Sequence, residues 1–190
     1  MLQKVALTIL LALAVAISLA APAEAKQNPK FLVAIGQETI VRIEPGRVEC
    51  IGGQPTGQYY PDPQCTPGTD QILVRGEVDY TQFTDVTGTA AAMFEGATNR
   101  IVVNCNFDAN LKGDCWGTFE ITVPGQGKWE GAWSGPFDLT NLVAFYSVVG
   151  HGSEGQLHRL HMKYDAIYPG TTWYATFVAC VTDKDGDSER

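Results

Sequence analysis

Helical patterning is what this chain lacks most. No window of about eleven residues repeats apolar side chains at i, i+3, i+4 and i+7 between capping residues, which argues against a helical bundle or an α/β layer. Basic charge is scarce too: 13 Lys and Arg stand against 21 Asp and Glu, a net charge of -8, which argues against nucleic acid and against anionic membrane surfaces as partners. Beyond the first 25 residues there is no apolar run long enough to cross a bilayer; even Leu142 to Val149 is interrupted by Tyr146 and Ser147. Catalytic signatures are missing as well. Ser134 and Ser147 stand outside any Gly-x-Ser-x-Gly turn, although Trp133-Ser134-Gly135 matches its second half, and no combination of residues specifies a reaction.

What is present begins with a leader. Lys4, an apolar run from Val5 to Ala21 and the small-residue triplet Ala23-Glu24-Ala25 read as a secretory signal peptide over residues 1–25, with no Cys after the cleavage site to carry a lipid. Loss of Lys4 and Glu24 with it leaves the net charge at -8. The expectation is a secreted or periplasmic protein, with no membrane attachment after cleavage. A single domain over residues 26–181 and a charged tail over 182–190 complete the organisation.

Within the domain the spacing is that of strands. Trp129, Gly131 and Trp133 alternate with Glu130, Ala132 and Ser134, so a pleated strand puts the aromatics on one face. Glycine-containing breaks at Pro124 to Gly127, Gly135-Pro136 and Gly150 to Gly152 punctuate such runs, as in an antiparallel meander. Strand patterning is read near residues 31–35, 39–43, 71–80, 88–95, 100–106, 114–123, 128–134, 142–149, 155–167 and 172–181. Long strands without a helical layer must stack as two sheets or close on themselves. Closure removes exposed edges, so an all-β antiparallel barrel of about eight strands is expected, with a β-sandwich as the alternative. About eight strands enclose an interior that side chains just fill or that holds one small ligand.

All five cysteines lie in the domain, and in an oxidising compartment disulfides are the default reading. Cys105 and Cys115 flank an Asp/Asn/Gly cluster that would turn a hairpin and bring them opposite each other. Cys50 and Cys65 flank a Gly/Pro/Tyr loop with few apolar periodic residues. A bridge closing that loop of about fifteen residues is worth on the order of 3 kcal/mol. Cys180 is left as a buried free thiol on the last strand, with no basic residue near it in sequence.

The stretches Phe83 to Ile121, Gly127 to Gly135 and Gly150 to Ala166 carry an Asp-x-x-Gly-Thr pattern at Asp85, Gly88 and Thr89, a Gly-x-Trp-x-Gly-x-Trp-x-Gly strand at Gly127, Trp129, Gly131, Trp133 and Gly135, and a glycine turn at Gly150, Gly152 and Gly155. In these the chain resembles a group of secreted bacterial proteins of unknown function, similar in turn to the allene oxide cyclase and dirigent barrels. The resemblance covers about half of the mature chain. It implies a calycin-like, eight-stranded antiparallel barrel with a ligand-sized interior. It carries no acid/base residue of a cyclase or a dirigent protein onto this sequence.

Candidate site residues follow from the barrel. Trp116, Trp129, Trp133, Tyr146 and Trp173, with Phe145, could line an interior pocket for a small apolar or aromatic molecule, although aromatics at alternating strand positions most often form core. The Tyr59-Tyr60 loop is the candidate for an exposed aromatic contact. Glu95, Asp114, Glu120, Glu130 and Asp138 lie on or beside strands, and any two that met at the barrel mouth could act as an acid/base pair in an isomerase or cyclase. His158 and His161, three apart, fall on opposite faces of a strand, and His151 stands apart, so no metal shell is expected. Asp183, Asp185 and Asp187 begin like a calcium loop, but the glycine and the terminal bidentate acid are out of place. The expectation is therefore a non-catalytic binder without cofactor, with the carboxylate enzyme and a surface or matrix interaction protein with a filled barrel as alternatives. A closed apolar cavity of about 300 Å³ or more would favour the binder; converging acids with shifted pKa values would favour catalysis.

Overall fold

The computed structural model describes residues 31–51, 65, 70–172 and 174–183. The stretch read as a leader, the Tyr59-Tyr60 loop, Trp173 and the stretch read as a tail from Lys184 onward lie outside the described residues. Nine strands follow one another: β1 Leu32–Glu44, β2 Arg47–Ile51, β3 Gln71–Thr87, β4 Thr98–Phe107, β5 Lys112–Val123, β6 Gly127–Asp138, β7 Val143–Gly155, β8 Leu160–Tyr168 and β9 Tyr174–Asp183. A single 3-10 turn, Ala91–Met93, sits between β3 and β4. Every pairing is antiparallel. β1 pairs β9 on one side and the second half of β3 on the other, which closes eight strands into a barrel and leaves β2 as an extra strand on the first half of β3.

Period-two alternation decides which side chains fill the barrel. On β8, Met162, Tyr164 and Ala166 point inward while His161, Lys163 and Asp165 face out; on β9, Ala175, Phe177, Ala179 and Val181 do the same. One end is solid. The segment after β3 folds across it, tied by the Ala90 amide to the Val33 carbonyl (2.9 Å), and places Phe94 parallel to Trp129 with ring centroids 6.0 Å apart. The Trp129 indole N–H bonds the Met93 carbonyl oxygen, and Phe83, Phe177, Ile121 and Leu157 pack around the pair with at most 1 % of their surface exposed. Each large side chain sealed in this way contributes about 1.5–3 kcal/mol of burial.

The strands depart from the sequence-based boundaries in several places: β2 has no counterpart there, and β3 and β6 run on past residues 80 and 134 to Thr87 and Asp138. Residues 31–35 and 39–43 form the single strand β1, since Gly36 to Glu38 continue the ladder to β9. Residues 88–95 are not a strand but the plug segment, because the Ala91, Met93, Phe94 and Glu95 amides donate to carbonyls of Gly88, Ala90 and Ala91 and fold the segment back on itself. Residues 155–167 divide, with β7 ending at Gly155 and β8 starting at Leu160 around a turn where Arg159 has φ 79°. Gly150-His151-Gly152 stays inside β7 rather than breaking it, and Thr182 and Asp183 extend β9 into what read as tail. Both expected disulfides form: Cys105–Cys115 joins directly opposed residues of β4 and β5, and Cys50–Cys65 ties β2 to Cys65; Cys180 is unpaired, as expected, but partly exposed rather than buried.

The bulge in β3 matters for the site. Ile72 and Val74 are buried, then the register with β4 slips between Val74 and Glu77, with Gly76 at φ 67°. Glycine adopts that conformation without the penalty of a side chain. The slip is held by side chains: the Arg75 guanidinium bonds the Val74 and Cys105 carbonyls (2.7 and 2.8 Å) and Asn106 Oδ1 (2.7 Å), and the Gly76 amide bonds Asn104 Oδ1. One added residue inverts the alternation. Glu77, Asp79, Thr81 and Phe83 therefore face the barrel interior.

Candidate functional site

Above the plug the interior opens into a cavity of about 660 Å³ that reaches the last residues of β1, β4 and β8 and the turn after β6. Its wall is largely apolar: Ile101, Val103, Phe119, Trp133, Val148 and Ala144 are among the lining side chains. Val41, Ile43, Leu142 and Phe145, all exposed, border the opening. Trp133 is held flat against the wall because Gly117 of β5 has no side chain. A Cβ there would overlap the Val102 carbonyl oxygen, and the Trp133 indole N–H donates to that same oxygen at 3.1 Å. Trp133, Tyr146, Tyr164 and Phe177 then follow one another edge to face at 5.7–6.5 Å, a chain of rings from the cavity wall to the plug.

The floor is polar. Glu38 of β1 is 2 % exposed and accepts four hydrogen bonds: from Thr81 Oγ1 (2.5 Å) and Asn99 Nδ2 (2.8 Å) on one oxygen, and from the hydroxyls of Tyr146 (3.2 Å) and Tyr164 (3.4 Å) on the other. Burial pushes its carboxyl above the ordinary range, and the four donors act against that rise. Burial, and then the neighbouring Glu38 charge, hold both tyrosine hydroxyls well above their usual pKa. Two further acids climb the wall along β3. Asp79 is pushed up to about 7 by burial and then by the Glu38 charge; Glu77 is pushed up to about 7 by burial and then by Asp79. Asp79 Oδ1 and Asn99 Oδ1 are both buried without a hydrogen-bond partner. Glu38 is a fixed, saturated acceptor, whereas Glu77 and Asp79 sit at a half-ionised point near neutral pH, where a carboxyl can give or take a proton.

Of the aromatics expected at a pocket, Trp133 and Tyr146 line the cavity. Trp129 belongs to the plug, fully buried against Phe94. Trp116 faces outward on β5, 38 % exposed, beneath the Arg75 guanidinium at 5.4 Å. Phe145 stands at the rim, and Trp173 is outside the described residues. None of the five expected acids reaches the interior. Glu95 accepts from the Val86 amide (2.7 Å) in the plug segment, Glu120 pairs with Lys128 (3.4 Å), Asp138 with Lys112 (3.3 Å) and Asn141, and Asp114 and Glu130 lie on outward positions of β5 and β6. The acids that do are Glu38, Glu77 and Asp79. The only trace of them in sequence is Glu77-Val78-Asp79-Tyr80-Thr81-Gln82-Phe83, polar side chains at period two leading into Phe83, and its meaning depends on the Gly76 bulge. His151 and His161 oppose each other on the outer faces of β7 and β8, and among the described residues no three His, Cys, Asp or Glu side chains gather to hold a metal ion.

Fold and site together define a closed antiparallel barrel, plugged at one end, with a carboxyl-floored apolar cavity at the other. No protein-family model matches the chain, and no curated protein matches it either.

Proposed function

We propose that this chain is an exported barrel protein that holds one small, largely apolar or aromatic molecule in its interior. The observation that carries the reading is the cavity of about 660 Å³ with its predominantly apolar wall, within the range of about 300–1,000 Å³ that encloses drug-sized ligands. Export rests on the leader read over residues 1–25 and is supported by the two disulfides; among the described residues no helix is long and apolar enough to cross a membrane. Native mass spectrometry of the protein purified from its source tests the reading. A stoichiometric retained mass of a few hundred daltons is the expected result; an unliganded protein that also takes up no fluorescent naphthalene or anthracene derivative at micromolar concentration would overturn it.

A second reading is favoured by Glu77 and Asp79, two carboxyls at about 7 on one strand face inside the cavity. Such a pair suits proton relocation on a bound substrate, as in an isomerase or cyclase. The resemblance to allene oxide cyclase and dirigent barrels lends it weight at the level of fold. If the retained molecule exchanges carbon-bound hydrogen for deuterium on incubation with the protein in deuterated buffer, and Asp79→Asn stops the exchange, catalysis is the better account.

A further inference from the structure

We infer that the cavity selects apolar molecules carrying a protonated amine, held by Asp79 and Glu77 while the apolar body lies against Trp133 and Tyr146. The inference deepens the ligand-binding reading above and rests on it. It begins from an imbalance of hydrogen-bonding groups. The donors on the cavity floor, Thr81, Asn99 Nδ2 and the hydroxyls of Tyr146 and Tyr164, all point at Glu38. The Trp133 indole N–H points at the Val102 carbonyl. What is left open there accepts: Asp79 Oδ1 and Asn99 Oδ1, both buried and unpartnered, on side chains that line the cavity. An unpartnered buried acceptor costs about 1–3 kcal/mol, which a donor brought by the guest removes.

Charge points the same way. Three acids line the cavity and one cation does, Arg42, whose guanidinium bonds Glu44 at 3.2 Å and lies 3.8 Å over the ring of Tyr80 on the outside of β3. Nothing on the described wall balances Asp79 and Glu77. A guest bearing an anion meets three carboxyls in a poorly solvated space; a guest bearing an ammonium gives them the counter-charge they lack and donates up to three hydrogen bonds. A ring beneath the ammonium adds attraction from the faces of Trp133 and Tyr146.

The titratable groups that act on or feel Asp79 are Glu38 of β1, Glu77 of β3 and the Tyr146 hydroxyl of β7. With the two β3 carboxyls at about 7, ammonium binding strengthens as pH rises through neutrality and weakens again only where the amine loses its proton.

The test uses four guests that share one ring system: naphthylethylamine, naphthylethanol, ethylnaphthalene and naphthylacetate, titrated by fluorescence into the full-length mature protein at pH 5.5, 7 and 8.5. The amine is expected to bind at least about tenfold more tightly than the hydrocarbon at pH 8.5, with the gap shrinking at pH 5.5 and the acid weakest throughout. Asp79→Asn, which keeps the shape and removes the charge, is expected to weaken the amine and so close the gap at pH 8.5. Equal binding of amine and hydrocarbon, tighter binding of the acid, or a gap that survives in both Asp79→Asn and Glu77→Gln would overturn the inference and leave the ligand-binding reading standing. Failure of all four guests to bind would overturn that reading and this inference together.

Discussion

Replacing Asp79 by Asn should make the protein more stable above neutral pH. In the unfolded chain this carboxyl ionises near 3.8, whereas burial beside Glu38 raises it to about 7 in the barrel. The folded state therefore holds a proton that the unfolded state gives up between those two values, so stability falls as pH rises from about 4 and the loss is complete above about 7. Three pKa units correspond to about 4 kcal/mol at most, a ceiling because water entering the open cavity solvates the carboxylate. Asn cannot ionise and keeps the volume. The difference between variant and wild type should be near zero at pH 4, grow through pH 5 and 6, and level off above pH 7. Urea unfolding at fixed pH reads it as a shift in midpoint at unchanged slope. Taking the difference removes Asp108 and Asp138, whose carboxyls are held below the ordinary range by hydrogen bonds from the Lys112 backbone and the Asn141 side chain and which contribute in the opposite sense at lower pH. An Asp79→Asn protein less stable than wild type at pH 8, or a difference that does not change with pH, would show that the carboxylate is stabilised where it stands.

Three more outcomes follow from the packing. Trp129→Ala removes the ring stacked on Phe94 and should cost about 3–5 kcal/mol, read as a fall in thermal midpoint of roughly 2–4 °C per kcal/mol for a chain of this size. Gly117→Ala puts a methyl group against the Val102 carbonyl and the Trp133 indole; a loss of about 1–3 kcal/mol with a changed Trp fluorescence spectrum is expected, and an unperturbed spectrum would contradict the seat described for Trp133. Replacing Cys50 and Cys65 together by Ser should lower stability by about 2–4 kcal/mol in non-reducing buffer, while peptide mapping of the intact protein should recover Cys180 only as a free thiol.

The barrel was legible in sequence because its evidence is local. Alternation in Lys128 to Ser134, the hairpin cluster between Cys105 and Cys115, and the absence of helical stripes each need only a short window. The floor of the cavity was not, because its parts are far apart along the chain. Glu38 meets donors from residues 43, 61, 108 and 126 positions away, and no window on Gly36 to Ile40 says which faces will surround it. Glu77 and Asp79 failed for a different reason. Read straight through from Ile72 and Val74, the alternation sends both acids outward with Leu73 and Arg75; the extra residue at Gly76 reverses it, and a single glycine in a strand does not announce which way a bulge will turn. The plug deceived by composition. Gly88 to Glu95 is apolar enough for a strand, yet Phe94 is needed across the barrel end, where its ring covers Trp129.

The seam between β1 and β9 sets a schedule for the chain's assembly. Leu32 pairs with Val181 and Thr39 with Tyr174, so the first strand made waits for the last. At about 5–20 residues per second, roughly 7–28 seconds of synthesis separate the two. During that interval β1 can already lie on β3, and the meander from β3 to β8 can form hairpin by hairpin from neighbours in sequence, but the edges of β1 and β8 that β9 will cover stay raw. Both carry β-branched side chains on the outer face, Val33 and Ile35 on one and Ile167 on the other. Arrival of β9 covers both edges in one step, and that late, non-local closure is the slow and aggregation-exposed part of folding. A chain truncated before Tyr174 would keep the hairpins from β3 to β8, lose the β8–β9 pair and have no means of becoming a barrel.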